Sequence, residues 1–214
     1  MADRGRIHID LFTTLDGVAQ APGSPTEDPS GGFRFGGWQA PLPDDVIGAE
    51  VGAGIRSLDA LVLGRRTYDI FAAYWPRHTG GASMIAHKFN AVPKYVASRG
   101  TPSLDWAGTS LLGARPGADV VAAMDALRDR HREIHVIGSV DFARTLLDAG
   151  MFDELVLWVH PLVLGEGKRV FPEGASSTTL RLLAPALTGP SGTVQLRYGP
   201  AGPVEVGDMD DVDG

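Results

Sequence analysis

Apolar positions recur along the chain at two spacings. Ile7, Ile9 and Leu11 alternate with His8 and Asp10, the period of a strand with one face more buried than the other. Ile47, Val51 and Ile55 recur at spacing four, an apolar helix face, and Pro43 followed by Asp44 and Asp45 marks where that helix begins. A short apolar run from Ala60 to Leu63 predicts a buried strand leading into a helix from Thr67 to about Tyr74, which Pro76 closes. A helical segment near Met84 to Asn90 follows, then strands at Tyr95 to Ala97 and Ser110 to Leu112, then an amphipathic helix from Val120 to Arg130. EIHVIGSVDFARTLLDAG reads as strand, glycine turn and helix, with Gly150 as the C-terminal cap. LVLWVHPLVLG predicts a long strand interrupted by Pro161, a position that suggests an edge or a bulge. Two last strand-like runs span Thr179 to Leu183 and Thr193 to Tyr198. Alternating strands and helices predict an α/β fold, a mainly parallel sheet with helices on both faces and an antiparallel edge from the late strands.

Length and composition narrow this picture. A chain of 214 residues with 43% hydrophobic content suits a single domain, placed here at residues 1–200. The remaining stretch, 201–214, reads as an acidic, disordered tail, because its last ten residues hold five carboxylates and no cation. No run reaches the roughly 18 apolar residues that cross a bilayer, and the first ten residues lack the apolar segment of a signal peptide. A cytoplasmic protein without a membrane partner is expected. The absence of cysteine excludes disulfides and thiolate chemistry, and a net charge of -7 disfavours a nucleic-acid partner. Residues 21–43 are rich in Pro, Gly and Ser yet carry Phe33, Phe35 and Trp38, which suggests a long loop packed over something.

Candidate chemistry sits where strands hand over to helices, since ligands of open α/β sheets bind at the carboxyl ends of strands. Gly64, Arg65, Arg66 and Thr67 combine a close-approaching backbone, two forked guanidinium donors and a hydroxyl. Ser98 and Arg99 follow the next strand and suit a phosphate monoester. Gly138, Ser139 and Val140 lie between strand and helix, where the helix dipole favours an anion. Neither GxGxxG, GxxxxGK[ST] nor GxSxG occurs, so the common dinucleotide fingerprint, the Walker loop and the hydrolase elbow find no support. No metal ligands are assigned: His135 in an apolar strand and His160 before Pro161 read as core or face residues, and Asp16-Gly17 as a turn.

Taken together, TLDG at 14–17, LGRRTY at 63–68, VASR at 96–99 and VIGSVDFARTLLDAGMFDELVLWVHPLVLGEGKRVF at 136–171 resemble one family. It is the dihydrofolate reductase-like group that includes the C-terminal reductase domain of bacterial riboflavin biosynthesis, and the resemblance spans roughly residues 7–198. The resemblance implies a three-layer α/β/α sandwich around a mixed, mainly parallel sheet, with NADPH as cofactor. It assigns Gly64, Arg65, Arg66 and Thr67 to the cofactor's phosphates, Ser98 and Arg99 to its 2'-phosphate, and Gly138, Ser139 and Val140 to its pyrophosphate.

Two departures stand out. Val140 replaces the small residue of many relatives, and Asp10 stands four residues before TLDG, where the riboflavin reductases carry a lysine. A carboxylate there opposes a phosphorylated sugar substrate. Dihydrofolate reductases place a carboxylate in an LPxD motif; here Leu42-Pro43-Asp44-Asp45 puts Asp45 at that position, with Asp16 as the second catalytic candidate. The aromatic loop with Phe35 and Trp38 would form a lid, and Trp75 would add to the substrate wall. The resemblance thus implies an NADPH-dependent reductase of a small heterocycle, pterin- or pyrimidine-like. A nucleotide-binding protein of the same fold without robust catalysis is the alternative. A homodimer is expected from the resemblance and from the long apolar strand around Trp158.

Overall fold

The computed structural model describes residues 4–78, 83–113, 115 and 117–208. The strands are β1 (Arg6–Thr14), β2 (Ala60–Gly64), β3 (Lys94–Ala97), β4 (Thr109–Leu111), β5 (Glu133–Val136), β6 (Glu154–His160), β7 (Thr179–Leu182), β8 (Leu187–Thr188) and β9 (Val194–Gly202). The helices are α1 (Asp45–Ser57), α2 (Arg65–Tyr74), α3 (Met84–Ala91), α4 (Val120–Leu127) and α5 (Val140–Asp148). One sheet runs β4-β3-β2-β5-β1-β6-β9-β7, with β8 paired to β9. The β4-to-β6 part is parallel and the three pairings of β9 are antiparallel, as the sequence pattern predicts.

The period-two pattern separates the two faces. Ile7, Ile9, Leu11, Ala60, Val62, Ile134, Val136, Leu155 and Leu157 pack with Met124 and Leu127 of α4 and with Phe142, Ala143 and Leu146 of α5. On the other face Leu61, Leu63 and Val96 pack with Ile55 of α1, Tyr68 of α2 and Phe89 of α3. This is a three-layer α/β/α sandwich. One cation lies wholly inside it: Lys94 donates to the carbonyls of Val92 (2.8 Å), Phe89 (2.9 Å) and Asn90 (3.2 Å), closing the C-terminal end of α3. Burial pushes its pKa down to about 8.

Several boundaries differ from the sequence pattern. Helix α2 begins at Arg65 with Gly64 as its N-cap, two residues before Thr67. Helix α4 stops at Leu127 rather than Arg130, because the chain tightens into a turn in which Arg128 N–H donates to Asp125. Strand β6 ends at His160, and Pro161 stops it; it is an inner strand with β1 on one side and β9 on the other. Both of its edges are therefore used, and it offers none for pairing with a second chain. Strand β9 runs to Gly202, two residues into the stretch read as tail, and residues 209–214 of that stretch lie outside the described residues.

Candidate functional site

Strands β3, β2, β5 and β1 are neighbours in that order, so the loops at their carboxyl ends form one edge. Gly64 at the end of β2 pairs in register with Ala97, which precedes Ser98. On its other side Gly64 N–H donates to Gly138 O (3.1 Å). Gly64 and the Gly138-Ser139 turn are pressed together: a Cβ on Gly64 would meet Ser139 N at 2.9 Å, and one on Gly138 would meet Thr67 Oγ1 at 2.9 Å. Gly138 has φ +67°, a conformation that glycine adopts without strain. Val140 is buried and packs into the α4–α5 core.

Helices α2 and α5 thus begin side by side, and neither N-cap residue, Gly64 or Ser139, makes a side-chain cap bond. The other three helices are each capped, by Asp44, Ser83 and Asp119. An uncapped helix start leaves backbone N–H groups for an external acceptor. A cavity of about 230 Å³ opens in front of these two starts. Its lining mixes the cations Arg66 and Lys168, the hydroxyls of Thr67 and Ser139 and the carboxylates Asp10, Glu27, Asp28 and Asp141 with apolar groups that include Leu11, Phe12, Ile70, Phe71 and Ile137. Asp28 is buried and holds both cations, pairing with Arg66 and, at 2.8 Å, with Lys168 Nζ. Burial opposes its ionisation, but the bonds from Lys168 and Ser30 prevail and lower its pKa.

The 18–43 loop forms the cavity's outer wall. Its aromatics do not face the cavity: Trp38 is buried, donates from Nε1 to Gln20 O (2.8 Å) and packs with Val18, Ala21 and Phe33 in a satellite core. Gln20 organises the loop by donating to Asp28 O (2.9 Å) and Ser30 O (3.0 Å) while accepting from Lys168 N–H (3.0 Å). Phe35 is half-exposed against Phe33, outside the cavity lining. Trp75 packs on Phe71 and Phe89 in the core beneath α1–α3.

The other sequence candidates divide. Arg66, Thr67, Gly138, Ser139 and Val140 line the cavity, whereas Arg65 points to solvent and pairs with Asp69 at 2.8 Å. Ser98 accepts from Gly100 N–H and donates to its carbonyl, and Arg99 is exposed on the same sheet edge beyond the cavity. Asp45 is exposed and does not line the cavity; its neighbour Asp44 caps α1 and accepts from Ser191 Oγ (2.6 Å). Asp16 does not reach the cavity either. It accepts from Thr14 Oγ1 (2.6 Å), Gly165 N (2.8 Å) and Leu164 N (3.2 Å), tying the end of β1 to the segment after β6. Partial burial pushes its pKa up, but the hydroxyl of Thr14 and the two amides outweigh this and hold the carboxyl at about 2. A carboxylate so held stays ionised at neutral pH, which argues against a proton donor.

Four carboxylates do line the cavity, Asp10, Glu27, Asp28 and Asp141, and Asp10 has its Oδ2 2.7 Å from His135 Nδ1. Asp10 is legible from its place before TLDG, whereas Lys168, Asp28 and Gln20 join the site through contacts more than a hundred residues apart, or across a loop without periodicity. Only the GEGKRVF segment hinted at Lys168.

Comparison with known proteins bears on the family and the fold. The RibD C-terminal domain family model matches residues 6–191. The uncharacterized protein YyaP of Bacillus subtilis (strain 168) is 24% identical over 200 residues, covering 90% of this chain and 94% of that protein. A putative riboflavin biosynthesis protein from Shewanella sp. PV-4 superposes with a TM-score of 0.65 at 20% identity, over 92% of this chain and 99% of the other. A pyrimidine reductase-like protein from Corynebacterium diphtheriae superposes with a TM-score of 0.59 at 15% identity, over 93% of each chain.

Proposed function

From the premise that the chain belongs to the RibD C-terminal domain family, we propose that it is an NADPH-dependent reductase of a small, pyrimidine-like heterocycle. The observation that carries this reading is the pair of uncapped helix starts, α2 and α5, meeting at Gly64 and Gly138 in front of a cavity with both charged and apolar lining groups. A dinucleotide likewise combines charged phosphates with a flat, largely apolar ring. Its pyrophosphate would take the free N–H groups of the two first turns with Arg66, Thr67 and Ser139, and its nicotinamide would lie toward the apolar Phe12 and Ile137. Ser98 and Arg99, further along the same edge, would take the 2'-phosphate. When bound, the nicotinamide supplies the hydride; the chain's part is to orient it and to exclude water.

Asp10 sets the substrate class. It is an acceptor at the cavity's inner wall, suited to ring N–H donors and repulsive to a phosphate. A heterocycle without a phosphorylated sugar therefore fits better than a riboflavin-pathway intermediate. One observation favours the second reading, nucleotide binding without robust turnover: neither Asp16 nor Asp45 reaches the cavity.

A titration with NADPH and NADH, followed by nicotinamide fluorescence, tests the cofactor. NADPH is expected to bind the more tightly, and Arg66→Ala to weaken it about 10–100-fold, the equivalent of one charge-assisted bond of ~1.5–3 kcal/mol. Arg99→Ala is expected to erase the preference for NADPH over NADH. Binding of neither nucleotide at millimolar concentration would overturn the proposal. Binding without oxidation of NADPH by any pyrimidine or pterin tried would select the second reading.

A further inference from the structure

Parallel pairing of β1 with β5 sets His8 directly opposite His135. Their rings stack with centroids 4.5 Å apart and planes 16° from parallel. Two residues before His135 on the same strand, Glu133 brings Oε2 to 2.6 Å from His8 Nε2. One possible ligand atom from each of these three residues lies within 4.8 Å of the other two. We propose that His8, Glu133 and His135 form a site for a divalent transition-metal ion, of which zinc is the best chemical match.

The surroundings carry the inference further than the three residues alone. Each imidazole has a carboxylate behind it: Asp10 Oδ2 lies 2.7 Å from Nδ1 of His135, and Glu154 Oε2 lies 3.5 Å from Nδ1 of His8. Carboxylates in that role fix the tautomer and orient the other ring nitrogen toward a metal. The other nitrogen of His135, Nε2, is buried and has no hydrogen-bond partner among the described residues. A buried polar atom of this kind is costly unless a ligand completes it.

An ordinary ion pair between His8 and Glu133 accounts for His8 and leaves His135 Nε2 unexplained. Two imidazoles and one carboxylate form a donor set that zinc accepts, with a further position for water. Charge points the same way. Asp10, Glu133 and Glu154 contribute three negative charges, against Arg6 and Arg197 on Glu154. The ion also has a route in, because the Glu133 side chain is 35% exposed while those of His8 and His135 are 10% and 6% exposed.

The site does not depend on the reductase reading, and its test does not use turnover. Tag-free protein is stripped with a chelator and titrated with Co²⁺, read by visible d–d absorption, and with Zn²⁺, read by calorimetry. One equivalent per chain is expected, with Zn²⁺ displacing Co²⁺ and raising the melting temperature. Glu133→Gln keeps shape at a half-exposed position and should still fold, as circular dichroism will report; with His135→Gln it is expected to abolish stoichiometric binding. Asp10→Asn is expected to weaken binding about 10–100-fold through the orientation of His135. The proposal is overturned if the wild-type protein takes up no stoichiometric metal, or if folded Glu133→Gln binds it as tightly as the wild type.

Discussion

Asp16 shows how far a residue type can be read without its neighbours. An aspartate in TLDG invites a catalytic role through the family resemblance, and from the residues alone Asp16-Gly17 reads as a turn. The fold decides through partners that the sequence does not place nearby: Leu164 and Gly165 lie about 150 positions away in the chain and both donate backbone N–H to this carboxylate. Asp16 is therefore a clamp, and its effect should appear in stability. Its folded pKa of about 2 lies below the ordinary value of 3.8, so the stabilisation is full above pH 4 and is lost as pH falls through 2. Asp16→Asn turns an amide NH₂ toward donors and should cost about 1–3 kcal/mol at pH 7 in urea unfolding, with the gap to wild type closing between pH 4 and pH 2. NADPH oxidation by the folded variant is expected to stay within a few-fold of wild type. A variant of wild-type stability that had lost turnover would reverse this assignment and return Asp16 to catalysis.

Elements were more legible than single side chains, and their starts differ in a way that bears on function. Five helices and most strands follow from apolar spacing with Pro and Gly punctuation, because burial on a sheet or helix face forces those periods. What spacing does not register is capping. Asp44, Ser83 and Asp119 each stand before their helix as the preferred cap types, whereas Gly64 and Ser139 leave α2 and α5 open. The open pair is the pair in contact, which is why Gly64 tests the element scale. Gly64→Ala places a methyl against Ser139 N, at a buried junction where backbone has to move. Separating the two helix starts should weaken NADPH at least about 10-fold, alongside a stability loss of about 1–3 kcal/mol from overpacking. Fluorescence titration and urea unfolding on the same sample read both effects; an unchanged dissociation constant would remove the paired starts from the cofactor site.

At the scale of the molecule, layers and strand direction were legible, while strand order and the meeting of His8 with His135 were not. Parallel neighbours are chosen by crossover connections, which leave no local pattern, and β8 is too short to carry a period. The resulting sheet joins both ends of the chain: the α4–α5 face buries residues from β1, β2, β5 and β6 in one cluster, with Leu180 and Leu196 of the antiparallel part packed against it. Such a core should unfold as one unit. Leu146 of α5 is fully buried at its centre, so Leu146→Ala should cost about 2–5 kcal/mol. The four tryptophans lie outside that cluster, Trp38 in the satellite core, Trp75 and Trp106 beneath α1–α3, and Trp158 beside α1. Tryptophan fluorescence therefore reports on regions that the substitution does not touch, whereas far-UV circular dichroism reports on the whole backbone. If the sheet transmits the loss, both signals shift to the same lower urea midpoint. A fluorescence midpoint that stayed in place while the circular dichroism midpoint fell would mean that the two faces of the sheet unfold separately.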